Sequence, residues 1–152
     1  MSKRELAIFS VLFVLDILTK SMMENVLLSS GSIPVIENFF YLTSVHNTGA
    51  AWGMFSGKQE IFFIAAILVV GVIIYFMFDN KISSKWSRFS MTLILAGTLG
   101  NLFDRIVYGY VRDFLDFYIF GYDYPVFNFA DCCLVVGFFI LAIQIIWGKE
   151  EW

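Results

Sequence analysis

Charge is what this 152-residue chain is short of. Only 15% of its residues are charged, ten basic and thirteen acidic, against about 25% in a soluble domain. Hydrophobic residues make up 59% and aromatics 19%, and the mean hydropathy is +0.78. A soluble domain this small cannot hide so much apolar surface. The composition therefore excludes a water-soluble globule, a disordered chain and a nucleic-acid binder, and leaves a small polytopic membrane protein. Histidine is nearly absent. His46 stands alone, with no H-E-x-x-H for a zinc protease and no G-x-S-x-G for a serine triad, so it reads as a loop residue of an external segment. Cysteine is almost as scarce. Cys132 and Cys133 are adjacent, form no C-x-x-C and would make only a strained disulfide, so both read as packing residues. The stretch Gly49-Ala-Ala-Trp-Gly53 lacks the lysine of a phosphate-binding loop. No repeat, low-complexity tract or linker divides the chain, which reads as one domain over 1–152.

What is present is apolar runs. Ile61–Phe78 carries no charge in 18 residues, about 27 Å of helix against a hydrocarbon layer of about 30 Å. Four spans are expected, near 6–27, 60–78, 89–108 and 127–147. The first has the basic start and apolar run of a signal peptide but no small-residue cleavage site, so it reads as a retained helix. Lys3, Arg4, Lys81, Lys85, Arg88 and Lys149 flank the termini and the middle connection, whereas the two longer connections hold only Lys58 and Arg112. That asymmetry predicts cytoplasmic termini, with segments 28–59 and 109–126 on the outer face. Both outer segments are rich in aromatic and β-branched residues, notably Ile33–Val45 and Val111–Phe127. They predict strands in a small β-rich cradle lying on the outer leaflet. Gly49, Gly53 and Gly57 permit tight turns there. Trp52, Trp86 and Trp147 read as interfacial anchors.

The few charges inside or beside the spans need an explanation, because an ionised group at mid-membrane costs about 2.5–3.5 kcal/mol on insertion scales. Asp16 and Lys20 are spaced i, i+4 and share a helix face, which fits a structural ion pair. Asn101, Asp104 and Arg105 share a face at the outer end of the third span. Asn128 and Asp131 fall in the first turn of the fourth, where capping alone would account for them. Asp113 and Asp116 lie in the second outer segment, where either alone reads as solvated. Topology brings all these groups to one depth. Two neighbouring carboxylates cannot both ionise cheaply, so one holds a proton, and such a dyad can activate water and protonate a leaving amine. A proton-coupled exporter would instead need an essential carboxylate at mid-span, and a non-enzymatic assembly subunit would leave the Asp and Asn cluster without a purpose.

Five stretches together carry a resemblance: Asp16-Ile-Leu-Thr-Lys20, Asn47-Thr-Gly-Ala-Ala-Trp-Gly53, Gly100-Asn-Leu-Phe-Asp-Arg105, Val111-Arg-Asp-Phe-Leu-Asp116 and Phe127-Asn-Phe-Ala-Asp131. In this order, on a chain of this length, the sequence resembles the lipoprotein signal peptidases, the type II bacterial signal peptidases, a family of intramembrane aspartyl peptidases. Arg112 and Trp52 fall where the family varies, often Val and Phe. The resemblance implies removal of the signal peptide from diacylglyceryl-modified prolipoproteins, with the cut on the amino side of the lipidated cysteine. It places the catalytic pair on Asp113 and Asp131, favouring Asp113 over the nearby Asp116. It places Asn47, Gly49, Asn101, Arg105 and Asn128 along the site, and gives Asp16, Lys20, Asp104 and Asp116 supporting roles. It implies no metal and no cofactor. Partners are then the prolipoprotein substrates and membrane lipids, with no nucleic acid. A monomer in the bacterial cytoplasmic membrane is expected, its active site near the outer face.

Overall fold

The computed structural model describes residues 1–49, 54–55, 57–78, 82 and 84–147. Lys81, Trp52, Gly53 and Lys149 lie outside the described residues. The elements run α1 (Lys3–Ser30), β1 (Ile33–Ile36), β2 (Phe40–Asn47), α2 (Gln59–Phe78), α3 (Lys85–Tyr108), β3 (Val111–Ile119), β4 (Tyr122–Asp123) and α4 (Phe129–Trp147). The long helices form a bundle, and the strands form one antiparallel sheet, ordered β1-β2-β3-β4, at one end of it. Strand positions follow the β-former runs of the sequence. His46, expected in a loop, is instead paired with Arg112 across β2 and β3, because the β-favouring run continues to the end of that segment.

Polarity is inverted relative to a soluble bundle. On α1 the buried residues are Asp16, Lys20 and Leu27, while Leu6, Val11, Val14, Leu18 and Met22 face outward. Ionisable side chains turned into the bundle and apolar ones turned out are the arrangement that lipid solvation favours. Three helices, α1, α2 and α4, are long and apolar enough to cross a membrane. The third expected span, α3, is 24 residues long but is not among them. It is the central helix, packed against the other three, and its buried face includes Ser87, Ser90, Thr92, Gly97, Thr98, Gly100, Asn101 and Asp104. A helix surrounded largely by protein does not need an apolar surface, which accounts for the small and polar residues of α3.

Both ends of the bundle are tied. Ser2 and Glu5 form a reciprocal cap at the start of α1. Glu5 also accepts from Arg88 Nε at 2.6 Å and Nη2 at 3.0 Å, joining the starts of α1 and α3. A core of Ile73, Met77, Ile82, Met91, Ile94 and Leu95 fills this end. At the opposite end, Gln59 Nε2 donates to the carbonyl of Gly109 at 2.6 Å, fixing the start of α2 to the end of α3.

Between α3 and α4 the backbones approach closely. A Cβ at Gly97 would collide with the Ala130 carbonyl and the Leu134 side chain, and one at Gly100 would collide with the Asp16 carboxylate. Small residues are what allow two helices to pack this tightly. The contact sets where Asn101 on α3 stands relative to Asp131 on α4.

Candidate active site

The site is built from four elements meeting at the sheet end of the bundle. Asn128 is the residue before α4, and its side chain accepts from the Asp131 N–H at 3.1 Å while Asp131 Oδ2 accepts from the Asn128 N–H, also at 3.1 Å. This reciprocal cap satisfies orphan donors of the helix start. The capping explanation for these two residues is therefore correct, but it leaves the Asn128 amide free to do more. Its Nδ2 donates to Asp113 Oδ1 at 2.5 Å and to Asn101 Oδ1 at 3.1 Å.

Asp113 and Asp131 line one cavity of about 750 Å³, together with Asn47, Gly49, Asn101 and Arg105. Each carboxylate is held by two donors. Asp113 accepts from Asn128 and, at 2.9 Å, from Asn47 Nδ2 at the end of β2. Asp131 accepts from the Asn128 backbone and, at 2.7 Å, from Asn101 Nδ2. Burial first, and the neighbouring Asp131 carboxylate second, push the Asp113 carboxyl up to about 7, against the lowering pull of its two amide donors. A site that keeps a proton on one carboxyl near neutral pH is equipped for acid–base chemistry on a carbonyl.

Beneath this pair lies a layer of buried charge. The Lys20 ammonium, fully buried, donates to Asp16 Oδ2 at 2.8 Å and to Asn101 Oδ1 at 2.9 Å, and stands 3.6 Å from Asp104 Oδ2. With its oxygen engaged by Lys20 and Asn128, the Asn101 amide can present only its NH2 to Asp131. Asp16 Oδ1 accepts from the Ala130 N–H at 2.9 Å, so a side chain from α1 caps the start of α4. The structural ion pair read from the i, i+4 spacing is present, and it reaches further than that spacing shows.

Two expected members of the cluster do not line the cavity. Asp104 faces the entry of β3, where Arg112 grips it with Nη2 at 2.8 Å and Nε at 3.2 Å while the Arg112 N–H adds a bond at 3.0 Å. Asp116 lies on the other face of β3 from Asp113, since alternate strand residues point to opposite faces. It accepts from Thr43 Oγ1 at 2.7 Å. Arg105 donates to the Gly49 carbonyl at 3.2 Å and stacks over Phe62, 4.6 Å from the ring centroid. Arg112, at a position read as variable, is the residue the sequence undervalued. It is nearly fully buried, joins Asp104 to Glu24 at 3.2 Å, and lies over Tyr108. A lone cation in an aromatic β-run gave little sign of this. His46 lies 3.3 Å from Glu24 and stacks on Tyr110 at the edge of the network.

The cavity walls are apolar. Phe62, Ala65 and Val69 of α2 face Leu134, Val135 and Phe138 of α4 across it. Cys132 lines it too, while Cys133 is buried, and both thiols are free. Among the described residues, no group of three or more His, Cys, Asp or Glu is arranged to hold a metal ion.

The chain as a whole has counterparts among known proteins. The family model of signal peptidase (SPase) II matches residues 8–147. This chain belongs to the signal peptidase II family. Lipoprotein signal peptidase of Clostridium acetobutylicum is 43% identical over 148 residues, covering 97% of this chain and 96% of the relative. That of Staphylococcus carnosus is 37% identical, covering 91% and 87%. Two solved structures, each described as a bacterial membrane enzyme determined by the in meso method, superpose on the peptidase. One gives a TM-score of 0.84 at 34% identity, over 98% of this chain and 93% of its own. The other gives 0.85 at 35% identity, over 96% and 94%. The peptidase is thus a protease, and its helices suit a multi-pass membrane protein.

Proposed function

We propose that this peptidase removes the signal peptide from diacylglyceryl-modified prolipoproteins, cutting on the amino side of the lipidated cysteine, with Asp113 and Asp131 as the catalytic pair. One observation carries the assignment. Of the described acidic side chains at this end of the bundle, Asp113 and Asp131 alone line the large cavity, while Asp16, Asp104 and Asp116 are engaged elsewhere. All four helices, α3 included, cross the membrane in this reading. The termini are cytoplasmic, the cradle is external, and one chain suffices.

In the proposed reaction one carboxylate removes a proton from a water molecule, whose oxygen attacks the scissile carbonyl carbon. The other carboxyl, protonated, donates to the carbonyl oxygen. On collapse of the tetrahedral intermediate the C–N bond breaks and the amine of the lipidated cysteine takes up a proton. The shared proton returns to the pair, and no metal or cofactor is required. Asn101 and Asn128 keep the carboxylates in place, and each carboxylate oxygen retains acceptor capacity for water or substrate. Arg105 holds the Gly49 backbone at the rim. The wall between α2 and α4 receives the apolar signal helix and acyl chains, which arrive by way of the lipid.

The test is an assay of the purified protein on a synthetic lipobox peptide in detergent, with and without the diacylglyceryl group. Cleavage of the lipidated peptide, mapped by mass spectrometry to the bond before the cysteine and surviving exhaustive chelation, is expected. Cleavage at another bond, or equal turnover of the unlipidated peptide, would contradict the assignment.

A further inference from the structure

The β3–β4 turn carries an unexplained combination. Ile119 pairs with Tyr122, leaving Phe120 and Gly121 as a two-residue loop. Both have positive φ, 52° and 80°, the geometry of a type I′ hairpin turn. Asn-Gly is the usual choice for it, and a bulky side chain at the first position is disfavoured by contact with its own backbone. The Phe120 ring is also 105% exposed, so no protein contact offsets that conformation. Ile119 and Tyr122 beside it are exposed as well. The β1–β2 turn adds exposed Ile36 and Phe39, and it abuts the same end of the sheet, where the Tyr118 N–H donates to the Phe39 carbonyl at 2.8 Å.

The course of β3 says where this apolar tip lies. The strand leaves the end of α3 just after Gly109, whose carbonyl is bound to the start of α2. Midway along, Leu115 bridges Phe127 at the start of α4 through bonds of 2.8 and 3.0 Å. Two points of β3 are thus pinned to the ends of helices that span the membrane in the reading above, so the strand runs across the bundle end rather than away from it. From Leu115 it continues five residues to Phe120, about 16 Å at roughly 3.3 Å per residue, beyond the last of these pinned points. In the spanning reading, the lipid interface surrounds the bundle end at that level. The tip carries no lysine or arginine; Glu37 and Asp123 are its nearest charges in sequence, so attraction to anionic headgroups cannot hold it there.

We propose that the Phe120 hairpin tip is inserted in the outer-leaflet interface, the ring of Phe120 seated among lipid and the flanking Ile119, Tyr122 and Phe39 at headgroup level. The occupant of this patch is lipid, recognised by its apolarity alone. The inserted tip and the helix ends then support the cradle at two separated places, holding β3, and Asp113 on it, at a fixed height over the cavity. The proposal rests on the membrane-spanning reading of the helices, and the test separates the two.

A photo-crosslinking phenylalanine analogue, benzoylphenylalanine, replaces Phe120 in one full-length variant and Leu68 in another, Leu68 being exposed in the middle of α2. Each variant is irradiated in native membranes and in vesicles of zwitterionic lipid, and adducts are identified by mass spectrometry. Lipid adducts at both positions, undiminished in zwitterionic vesicles and in high salt, are expected. Lipid adducts at position 68 with none at 120, or protein adducts at 120, would overturn the proposal and leave the spanning reading intact. No lipid adduct at position 68 would overturn the spanning reading itself.

Discussion

A single ammonium organises the floor of the site. Lys20 reaches Asp16 along its own helix and Asn101 on α3. The spacing of Asp16 and Lys20 made their pairing legible. The contact with Asn101 was not, because nothing in a one-dimensional pattern reports a neighbour 81 residues away. The same holds for Arg112, whose burial depends on where Asp104 and Glu24 are brought by the fold. Asp113 gives this scale its test. Its carboxyl is held at about 7 in the folded protein, against about 3.9 in an unfolded chain. The folded state therefore binds the proton more tightly. The stabilisation this brings is complete below about pH 3.9 and is lost as pH rises through 7. Asp113→Asn, which cannot ionise, removes that dependence. Its thermal midpoint relative to the unsubstituted protein should be higher at pH 8 than at pH 5, by several degrees at about 2–4 °C per kcal/mol for a chain of this size. An equal difference at both pH values would show that Asp113 does not hold a proton in the folded state.

At the scale of elements, the long apolar helices and the β-rich outer segments were written plainly in the sequence, one as charge-free runs and the other as aromatic and β-branched residues. The strand faces were not. Asp113 and Asp116 differ by three residues in a strand of period two, so they face opposite ways, and this parity could be used only once the strand's bounds were known. Nor was the role of α3 plain, since its small and polar residues lower its hydropathy for the same reason that they let α1 and α4 come close. The α3–α4 contact is where an element-scale change should reach the chemistry. Gly97→Val would place its branched side chain against the Ala130 carbonyl and Leu134. Overpacking of this kind costs about 1–3 kcal/mol. It would also part Asn101 from Asp131, whose bond is 2.7 Å, and a displacement of about 1 Å at a catalytic group can cost on the order of 100-fold in rate. A lower thermal midpoint with at least a tenfold loss of kcat is expected. Unchanged kcat would mean that this packing does not set the site.

Across the whole molecule, scarcity of charge and placement of charge are one design. In the membrane-spanning reading, lipid faces the apolar outsides of α1, α2 and α4. The interior carries Asp16, Lys20, Asp104 and Arg112 linked in series, and breaking a buried network of this kind by removing one partner costs about 3–5 kcal/mol. The network thus braces the end of the bundle on which the cradle sits, and Asp113 and Asp131 are left to the cavity. In the proposed mechanism Asp113 and Asp131 perform the cleavage together. This is tested most directly by assaying the purified Asp113→Asn and Asp131→Asn proteins in vesicles on a diacylglyceryl lipobox peptide, beside the unsubstituted protein. Each variant should insert and fold but cleave nothing measurable, and turnover by either at the unsubstituted rate would contradict that mechanism.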